Sequence, residues 1–409
     1  MEEKILIEEL TQRTKALCKG RIVLAIQDTS EVNLTEHSRR LKADSGIGRT
    51  DYAKGCIGFK LHPTLVVDAK TLHPLGFSSL ALWHRPLDLE DRHKRKYQRQ
   101  KIEDKESYKW IRSSNESKEV LQDAEKVIII QDREGDIYDQ LSQIPDEKHH
   151  LLIRSKANRI LMDGGQLWNE LGRQNNAGTY QIAVAGDKRK HVARRIANIE
   201  VRFLHTSIKK SCSAIGNTTK EVKLYAIEAR EVNTTEKNPI LWRLITTYPV
   251  IDFESACQII LWYACRWLIE QVFRLLKKQG FDIESSELEE GWAIRKLCVL
   301  MLSSILKIIQ MKLAYDSEEE GQNIEEVFTQ PEQECLKELN NRLEGKTDKL
   351  KNPYSRHQLK WATWIIGRLA GWKGYTSQRT IGVITLKNGF DKFYLIYEGW
   401  TMARDVGIP

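Results

Sequence analysis

Apolar positions along the chain form two kinds of pattern. Short aliphatic runs that end in polar residues predict buried strands, at 21–30, 57–68, 77–84, 127–132, 151–156 and 241–247. Longer apolar stretches with helical spacing predict helices, at 2–17, 109–125, 254–279 and 280–312. Up to residue 312, therefore, strands and helices follow one another along the chain.

Two further regions depart from this pattern. Between 166 and 240 the chain has short alternating runs, at 180–185, 191–203 and 221–228, which predict a β-rich insertion. After 312 we expect an acidic, Gln-rich linker at 316–333, a short helix at 336–342 and a Trp-rich helical end. The predicted organisation is a core in two parts, 21–165 and 241–312, with the insertion 166–240 between them and a helical C-terminal region at 313–409.

Composition is that of an ordinary soluble globular protein, with 41% hydrophobic and 29% charged residues among 409. No apolar run of 18 residues and no signal-type segment is present, so we expect a chain that is neither secreted nor membrane-spanning. The seven cysteines never occur as CxxC, which indicates a reducing cytosol and no zinc site.

The charge balance is modestly basic. A formal net charge of +8 permits a nucleic-acid partner without establishing one. Basic residues are dense in the segment 88–109 and in a second cluster at 188–195. Each is either a solvated loop or a surface that follows phosphates.

One ionic stripe crosses the apolar helix predicted at 254–279. Its members are spaced by three, four, four and three positions and so share a face: Tyr263, Arg266, Glu270, Arg274 and Lys277. Such a stripe is either a solvated edge held by i,i+4 salt bridges or the wall of a polar site.

Two upstream acids favour the polar site. Asp28 and Asp132 each end an apolar strand, and polar sites in open sheets lie beyond strand ends. Either acid alone could simply cap the turn that follows it. With Glu270 they form a set of hard oxygen ligands suited to Mg²⁺ or Mn²⁺, and two such ions can clamp the attacking and leaving oxygens of a phosphodiester.

The same residues carry a resemblance to a known family. The spacing Tyr263-x₂-Arg266-x₃-Glu270-x₆-Lys277 is similar to the signature of bacterial insertion-sequence transposases of the IS-four family. Asp28-Thr29 and Asp132-Arg133-Glu134-x-Asp136 resemble the segments that carry the first two acids of their DDE triad. The Tn-five type is also matched by three short motifs, Arg154-Ser155-Lys156, Pro239-x₂-Trp242 and Glu398-Gly399-Trp400.

This resemblance, which spans Arg21 to Trp400, implies an α/β fold of the RNase-H-like type: a mixed five-stranded sheet flanked by helices. It implies a β-strand insertion domain and an α-helical, dimerisation-like C-terminal region. The implied activity is cut-and-paste DNA transposition by two-metal phosphoryl transfer. One strand is nicked, the freed 3′-hydroxyl attacks the opposite strand to make a hairpin, the hairpin is reopened, and the same hydroxyl attacks target DNA.

The resemblance also assigns roles to residues. It implies that Asp28, Asp132 and Glu270 bind two ions, Mg²⁺ or Mn²⁺. The residues expected to hold phosphates around the scissile bond are Tyr263, Arg266, Arg274, Lys277, Arg154 and Lys156. Trp242 would stack on a flipped base, although a core tryptophan is the competing interpretation. The expected partners are double-stranded DNA, as transposon ends and as target, and a second copy of the chain in a synaptic complex, in the bacterial cytoplasm.

Two departures from the family pattern shape the alternatives. Family members carry a helical end-recognition domain before the first acid, whereas residues 1–20 here are expected to be one remnant helix. Members also continue beyond the Glu398-Gly399-Trp400 motif in a long dimerising helix. Two other functions therefore stay open: a truncated product that binds DNA or inhibits a full-length transposase, and a metal-dependent nuclease on the same fold.

Overall fold

The computed structural model describes residues 2–42, 44–51, 55–87, 100–184, 194–212, 214–215, 218–278, 280–318, 322–374 and 380–405. Residues 88–99 of the basic segment and 188–193 of the second basic cluster lie outside these ranges. The predicted surfaces that follow phosphates therefore stay predictions.

Strands and helices alternate through the first two thirds of the chain, and the last third of the described residues is helical. The strands are β1 Ile22–Gln27, β2 Ser30–Asn33, β3 Gly48–Arg49, β4 Ile57–Asp68, β5 Pro74–Trp83, β6 Lys126–Gln131, β7 His149–Arg154, β8 Gly178–Val184, β9 Arg195–Lys209, β10 Glu221–Val232 and β11 Leu241–Thr246. The helices are α1 Glu3–Leu17, α2 Tyr108–Val120, α3 Tyr138–Gln143, α4 Leu167–Arg173, α5 Phe253–Ala264, α6 Trp267–Lys277, α7 Gly291–Asp316, α8 Gln330–Leu343, α9 Leu359–Leu369 and α10 Val383–Asp405.

The described strands form one mixed sheet of eleven strands, rather than the five-stranded sheet that the resemblance implies. Its order is β2-β4-β1-β6-β7-β11-β10-β9-β8, and β3 and β5 also pair with β4. Strands β1, β6 and β7 are parallel, and their neighbours on both sides are antiparallel. The predicted α/β character is confirmed. The strands of the predicted insertion, β8 to β10, extend this same sheet through the pairing of β10 with β11.

Side chains of successive strand residues point to opposite faces of the sheet, and each face is covered by its own helices. Leu24, Ile26 and Ile130 belong to the core under α5, α6 and α7. Val23, Ala25 and Ile129 belong to the core under α2, α3 and α4. Adjacent positions at a strand end therefore face different layers of the molecule.

The helix predicted at 254–279 is two helices. A capping box between Asp252 and Ser255 begins α5, and the chain then tightens after Ala264. The Arg266 amide donates to the Tyr263 carbonyl at 3.0 Å, an i→i−3 bond of the kind that narrows a helical turn. Helix α6 starts at Trp267, so Arg266 lies at the junction, in αR geometry.

Other predicted boundaries also need correction. Residues 280–290 hold only a 3-10 turn, Ile283–Ser285, and α7 begins at Gly291. The linker predicted at 316–333 contains the 3-10 turn Ile324–Glu326 and the first turn of α8, which has a capping box of Thr329 and Glu332. Helix α4 was not predicted.

Helix α1 is packed into the fold. Thr14 is fully buried, and a Cβ at Gly76 of β5 would collide with its side chain. Arg13 donates to the carbonyls of Val327 and Glu325, and Arg295 of α7 pairs with Glu3. These contacts join the first helix to the sheet, to α7 and to the C-terminal region. Its interpretation as a remnant of a larger domain stays a prediction.

Helix α7 connects the sheet to the C-terminal helices. Within the described residues it is the one helix that is long and apolar enough to cross a membrane, and half of its most apolar window is buried inside the fold. Cys298 and Leu302 pack into the sheet core, while Ile308 and Met311 pack among α8, α9 and α10. Helix α7 therefore contributes to two hydrophobic cores along its length.

Candidate active site

The first two predicted acids lie side by side. Backbone pairing of β1 with β6 runs in parallel from Ile22–Lys126 to Ile26–Ile130, so Asp28 and Asp132 follow neighbouring strands at the same sheet edge. Alternation along each strand directs both positions to the face that α6 covers. Each carboxylate also accepts a backbone amide of the next turn at 2.8 Å, from Thr29 and Glu134 respectively.

Arg266 joins the first and third acids. Its Nη1 donates to Asp28 Oδ2 at 2.8 Å, and its Nη2 donates to Glu270 Oε1. The predicted i,i+4 salt bridge from Arg266 to Glu270 is therefore present, together with a bridge across 238 positions of sequence. The stripe is the wall of an ionic cluster as well as a salt-bridged helix face.

The environment of Asp28 disfavours its charge. Burial raises the pKa of Asp28 to about 6; the guanidinium of Arg266 and the Thr29 amide oppose the rise, and the carboxylates of Asp132 and Glu270 add to it. Conversely, Asp28, Glu270 and Asp132 all raise the pKa of Arg266, against the effect of its burial. Two acids from distant segments, Asp132 and Glu270, thus act electrostatically on Asp28.

The donor set suits divalent cations. Carboxylate oxygens are the ligands that Mg²⁺ and Mn²⁺ prefer. Among the described residues, no hydrogen bond reaches the second oxygen of Asp132 or of Glu270, so both remain available to an ion. Within that part of the chain no group of three or more His, Cys, Asp and Glu side chains has the arrangement of a metal site. The assignment of the three acids to metal therefore stays a prediction.

Aromatic and basic residues border the cluster. Tyr263 is 4% exposed, and its ring meets Trp242 edge-on with centroids 5.4 Å apart. Burial raises the pKa of Tyr263, Arg266 and Arg154 oppose this, and Asp132 adds to it. Burial and the charge of Arg133 lower the pKa of Arg154, which also interacts with Tyr263. Three predicted phosphate-binding residues, Tyr263, Arg266 and Arg154, therefore interact with one another, and Tyr263 and Arg266 also interact with the acids.

The loop after β7 is held by hydrogen bonds to the Asp136 carboxylate. This carboxylate accepts the backbone amides of Lys156 and Ala157 at 2.7 and 3.2 Å and a donor from Arg159 at 3.0 Å. Its side chain is completely buried. Lys156 is exposed, and its backbone is fixed by Asp136, the last residue of the Asp132–Asp136 motif, so its phosphate-binding role stays a prediction.

The C-terminal end of the stripe lies away from the two ion pairs of Arg266. Lys277 is 3.7 Å from Glu284. Arg274 is exposed and forms no ion pair with any residue that the structure describes. The five residues of the stripe therefore divide into three that meet the acids and two that do not, and the phosphate-binding roles of Arg274 and Lys277 stay predictions.

Several buried polar residues behind the acids were given no role by sequence reasoning. Gln27 and Gln131 precede the two acids and are fully buried. His62 is fully buried with Nδ1 2.9 Å from Thr29 Oγ1, and burial lowers its pKa to about 3. The repeat of Gln-Asp at the ends of two apolar strands was the signal that could have pointed to the glutamines.

Comparison with known proteins places this chain in a family. The chain belongs to the transposase DDE domain family, whose model matches residues 20–306 and so includes Asp28, Asp132 and Glu270. Among solved structures, the chain is similar to a piggyBac transposase in a cryo-EM synaptic complex with hairpin DNA. The identity is 7% and the TM-score 0.31, and the match covers 78% of this chain but 62% of that one, less than two thirds of its length.

Proposed function

We propose that this chain is a DDE transposase that catalyses cut-and-paste transposition of an insertion sequence, of the IS-four family and Tn-five type. The observation that carries the proposal is that Arg266 bonds both Asp28 and Glu270, while Asp132 follows the strand next to that of Asp28, inside the segment that the family model matches. Its sheet would then be an elaborated RNase-H-like sheet. The proposed location is the bacterial cytoplasm, on the nucleoid when DNA is bound.

The chemistry is a series of phosphoryl transfers at one site. Two divalent ions, Mg²⁺ or Mn²⁺, would supply charge stabilisation to the attacking and leaving oxygens. Asp28, Asp132 and Glu270 would hold them, and four steps would share this set: strand nicking, hairpin formation, hairpin resolution and strand transfer to target.

The chain's own cations would orient the DNA. In the free protein Arg266 is neutralised by two carboxylates. When these carboxylates bind cations, the guanidinium is free to form bidentate bonds with a phosphate, for which its planar fork is suited. Arg154 and Tyr263 lie next to Arg266 and would bind the same phosphate or the next one.

Trp242 would act on a base rather than on the backbone. Its ring is partly exposed and is held edge-on against Tyr263, at the border of the cluster. An aromatic face in this position can stack on a nucleotide that has left the duplex, which relieves strain when a hairpin forms.

The proposal is tested by incubating the full chain with hairpin-ended and pre-nicked DNA in the presence of Mn²⁺. We expect hairpin opening, hairpin formation from the nicked end, and joining of the 3′ end to a plasmid. Asp132→Asn should abolish all three. Asp348→Asn, the same change at an exposed residue paired only with Lys351 among the described residues, is the matched control.

Each alternative function has its own outcome in this assay. Hydrolysis without strand joining would identify a nuclease. DNA binding without cleavage, combined with inhibition of an active transposase, would identify an inhibitor. Cleavage that survives Asp132→Asn would overturn the proposed site.

A further inference from the structure

A chain of side-chain hydrogen bonds runs behind the acids, on the opposite face of the sheet. Gln131 Nε2 donates to Gln27 Oε1 at 2.7 Å, and Gln27 Nε2 donates to Ser114 Oγ at 3.2 Å. At one end Gln140 donates to Gln131, and at the other Ser114 donates to the Trp110 carbonyl at 2.7 Å. We call Gln140, Gln131, Gln27 and Ser114 the amide chain.

The amide chain lies in the protein core, where apolar side chains would fill the same space and stabilise the fold more. All four of its side chains are fully buried. Gln140 Oε1 is also buried and has no hydrogen-bond partner among the described residues. Buried neutral polar groups that are incompletely paired destabilise a fold relative to apolar side chains of similar shape. A role other than packing therefore accounts better for three buried glutamines in one place.

The position of the amide chain identifies that role. Backbone pairing between β1 and β6 ends at Ile26–Ile130, and the side chains of Gln27 and Gln131 join the next pair. The turn after Asp132 is pressed onto the same amide, since a Cβ at Gly135 would collide with Gln131. The side chains thus continue the connection between the strands up to the last residue before each acid.

We propose that the amide chain sets the spacing and direction of the Asp28 and Asp132 carboxylates, with Gln27 and Gln131 as positioning residues. With its amide held on one face, each glutamine fixes the peptide that carries the following acid toward the other face. Helices α2 and α3 supply the outer partners, Ser114 and Gln140. The ends of β1 and β6 are therefore held in position by hydrogen bonds to these two helices. This inference rests on the proposed function, because it concerns the same carboxylates.

The test uses the purified full chain, with Mn²⁺ alone as the probe. Gln27→Met, Gln131→Met and the double variant keep side-chain length and remove the amides. Mutation of residues that orient metal ligands typically lowers metal affinity by about 10–100-fold. We therefore expect each single variant to weaken Mn²⁺ binding about 10-fold or more. The double variant should be little worse than either single one, since one broken link disconnects the chain.

A matched control separates positioning from general loss of stability. Ser78→Ala removes another buried bond between the sheet and α2, the 2.9 Å contact of Ser78 Oγ with Ser117 Oγ, which involves no member of the amide chain. It should lower the unfolding temperature without changing the Mn²⁺ titration. In cleavage assays the glutamine variants should need more Mn²⁺ for half-maximal rate, and excess Mn²⁺ should restore part of the rate.

The outcomes distinguish this inference from the proposed function. Wild-type affinity for Mn²⁺ in the Gln27 and Gln131 variants overturns the inference alone. If the wild type binds Mn²⁺, Asp28→Asn does not, and the wild type still cleaves no DNA, the proposed function is overturned. The Mn²⁺ titrations of the glutamine variants then still decide the inference. A wild-type chain that binds no Mn²⁺ overturns both. If the two variants do not fold, Gln140→Met removes only the outer link; several-fold weaker binding supports the inference, and unchanged binding contradicts it.

Discussion

Two carboxylates four residues apart, Asp132 and Asp136, have opposite surroundings. Asp136 accepts two backbone amides and the guanidinium of Arg159, and its side chain is completely buried. Asp132 accepts one backbone amide, at Oδ1, and within the described residues it forms no ion pair. One acid is fully partnered by its own chain, and the other keeps an oxygen for something else.

This difference separates a structural acid from a candidate ligand. A carboxylate whose lone pairs all accept hydrogen bonds from fixed donors stabilises the fold. It is a poor ligand for a metal ion, because the ion would have to displace those donors. Asp28 and Glu270 are intermediate cases. Each bonds Arg266, whose guanidinium would be able to bind a phosphate instead. Sequence reasoning selects Asp132 because it ends an apolar strand, and the partners of the two carboxylates in the structure add a second distinction.

The largest predicted effect is that substitution of Asp132 impairs DNA cleavage, whereas substitution of Asp136 impairs stability. Asp132→Asn should reduce DNA cleavage by at least about 10³-fold, since charge stabilisation by metal is worth several kcal/mol, with little change in the free energy of unfolding. Asp136→Asn should instead lower the free energy of unfolding by about 3 kcal/mol, because it leaves Arg159 buried without its counter-charge. Urea denaturation and single-turnover cleavage measure the two effects. Equal stability losses in the two variants would contradict the distinction.

A second prediction compares Asp28 with an uncharged substitute across pH, in the presence of a chelator. With its pKa raised to about 6 in the fold, Asp28 retains its proton there at pH values where the unfolded chain has released it. As pH rises from about 4 to 7, the free energy of unfolding of the wild type should therefore fall relative to Asp28→Asn. The difference should reach up to about 3 kcal/mol, at 1.36 kcal/mol per pKa unit.

Chemical denaturation of both proteins at several pH values gives this difference directly. A flat difference would show that the pKa of Asp28 is the same in the folded and unfolded states. A rise with pH would show that the Arg266 ion pair outweighs the burial of Asp28.

The comparison also shows which features a sequence can predict. Strands β1 and β6 and the acids after them were predictable because a short apolar run followed by a carboxylate is a local pattern. The bond of Arg266 to Asp28 was not, since it spans 238 positions and depends on how α6 lies across the sheet. The break at Cys265–Arg266 was missed because no Pro or Gly marks it. The glutamines were visible in the sequence, yet their bonds exist only after four elements pack together.

The third prediction concerns Arg266, whose two ion pairs are partly exposed. Arg266→Ala should weaken DNA binding and cleavage by about 1.5–3 kcal/mol, the worth of a charge-assisted phosphate contact. The cost to folding should be smaller, about 1 kcal/mol or less, as for partly solvated salt bridges. Fluorescence-detected binding and thermal unfolding are the measurements. If Arg266→Ala unfolds the protein while activity per folded molecule is unchanged, the salt bridge is the whole role of this residue.

The smallest predicted effect tests whether Trp242 belongs to the site or to the core around it. Trp242→Phe keeps an aromatic ring against Tyr263 and shortens the surface on which a base could stack. We expect hairpin formation to slow about 10-fold, within the range of 1–3 kcal/mol measured for base–aromatic stacking. Strand nicking, which needs no extruded base, should keep its rate, and time courses on pre-nicked and intact DNA separate the two steps. Equal slowing of both, in parallel with a lower unfolding temperature, would assign Trp242 to packing with Tyr263.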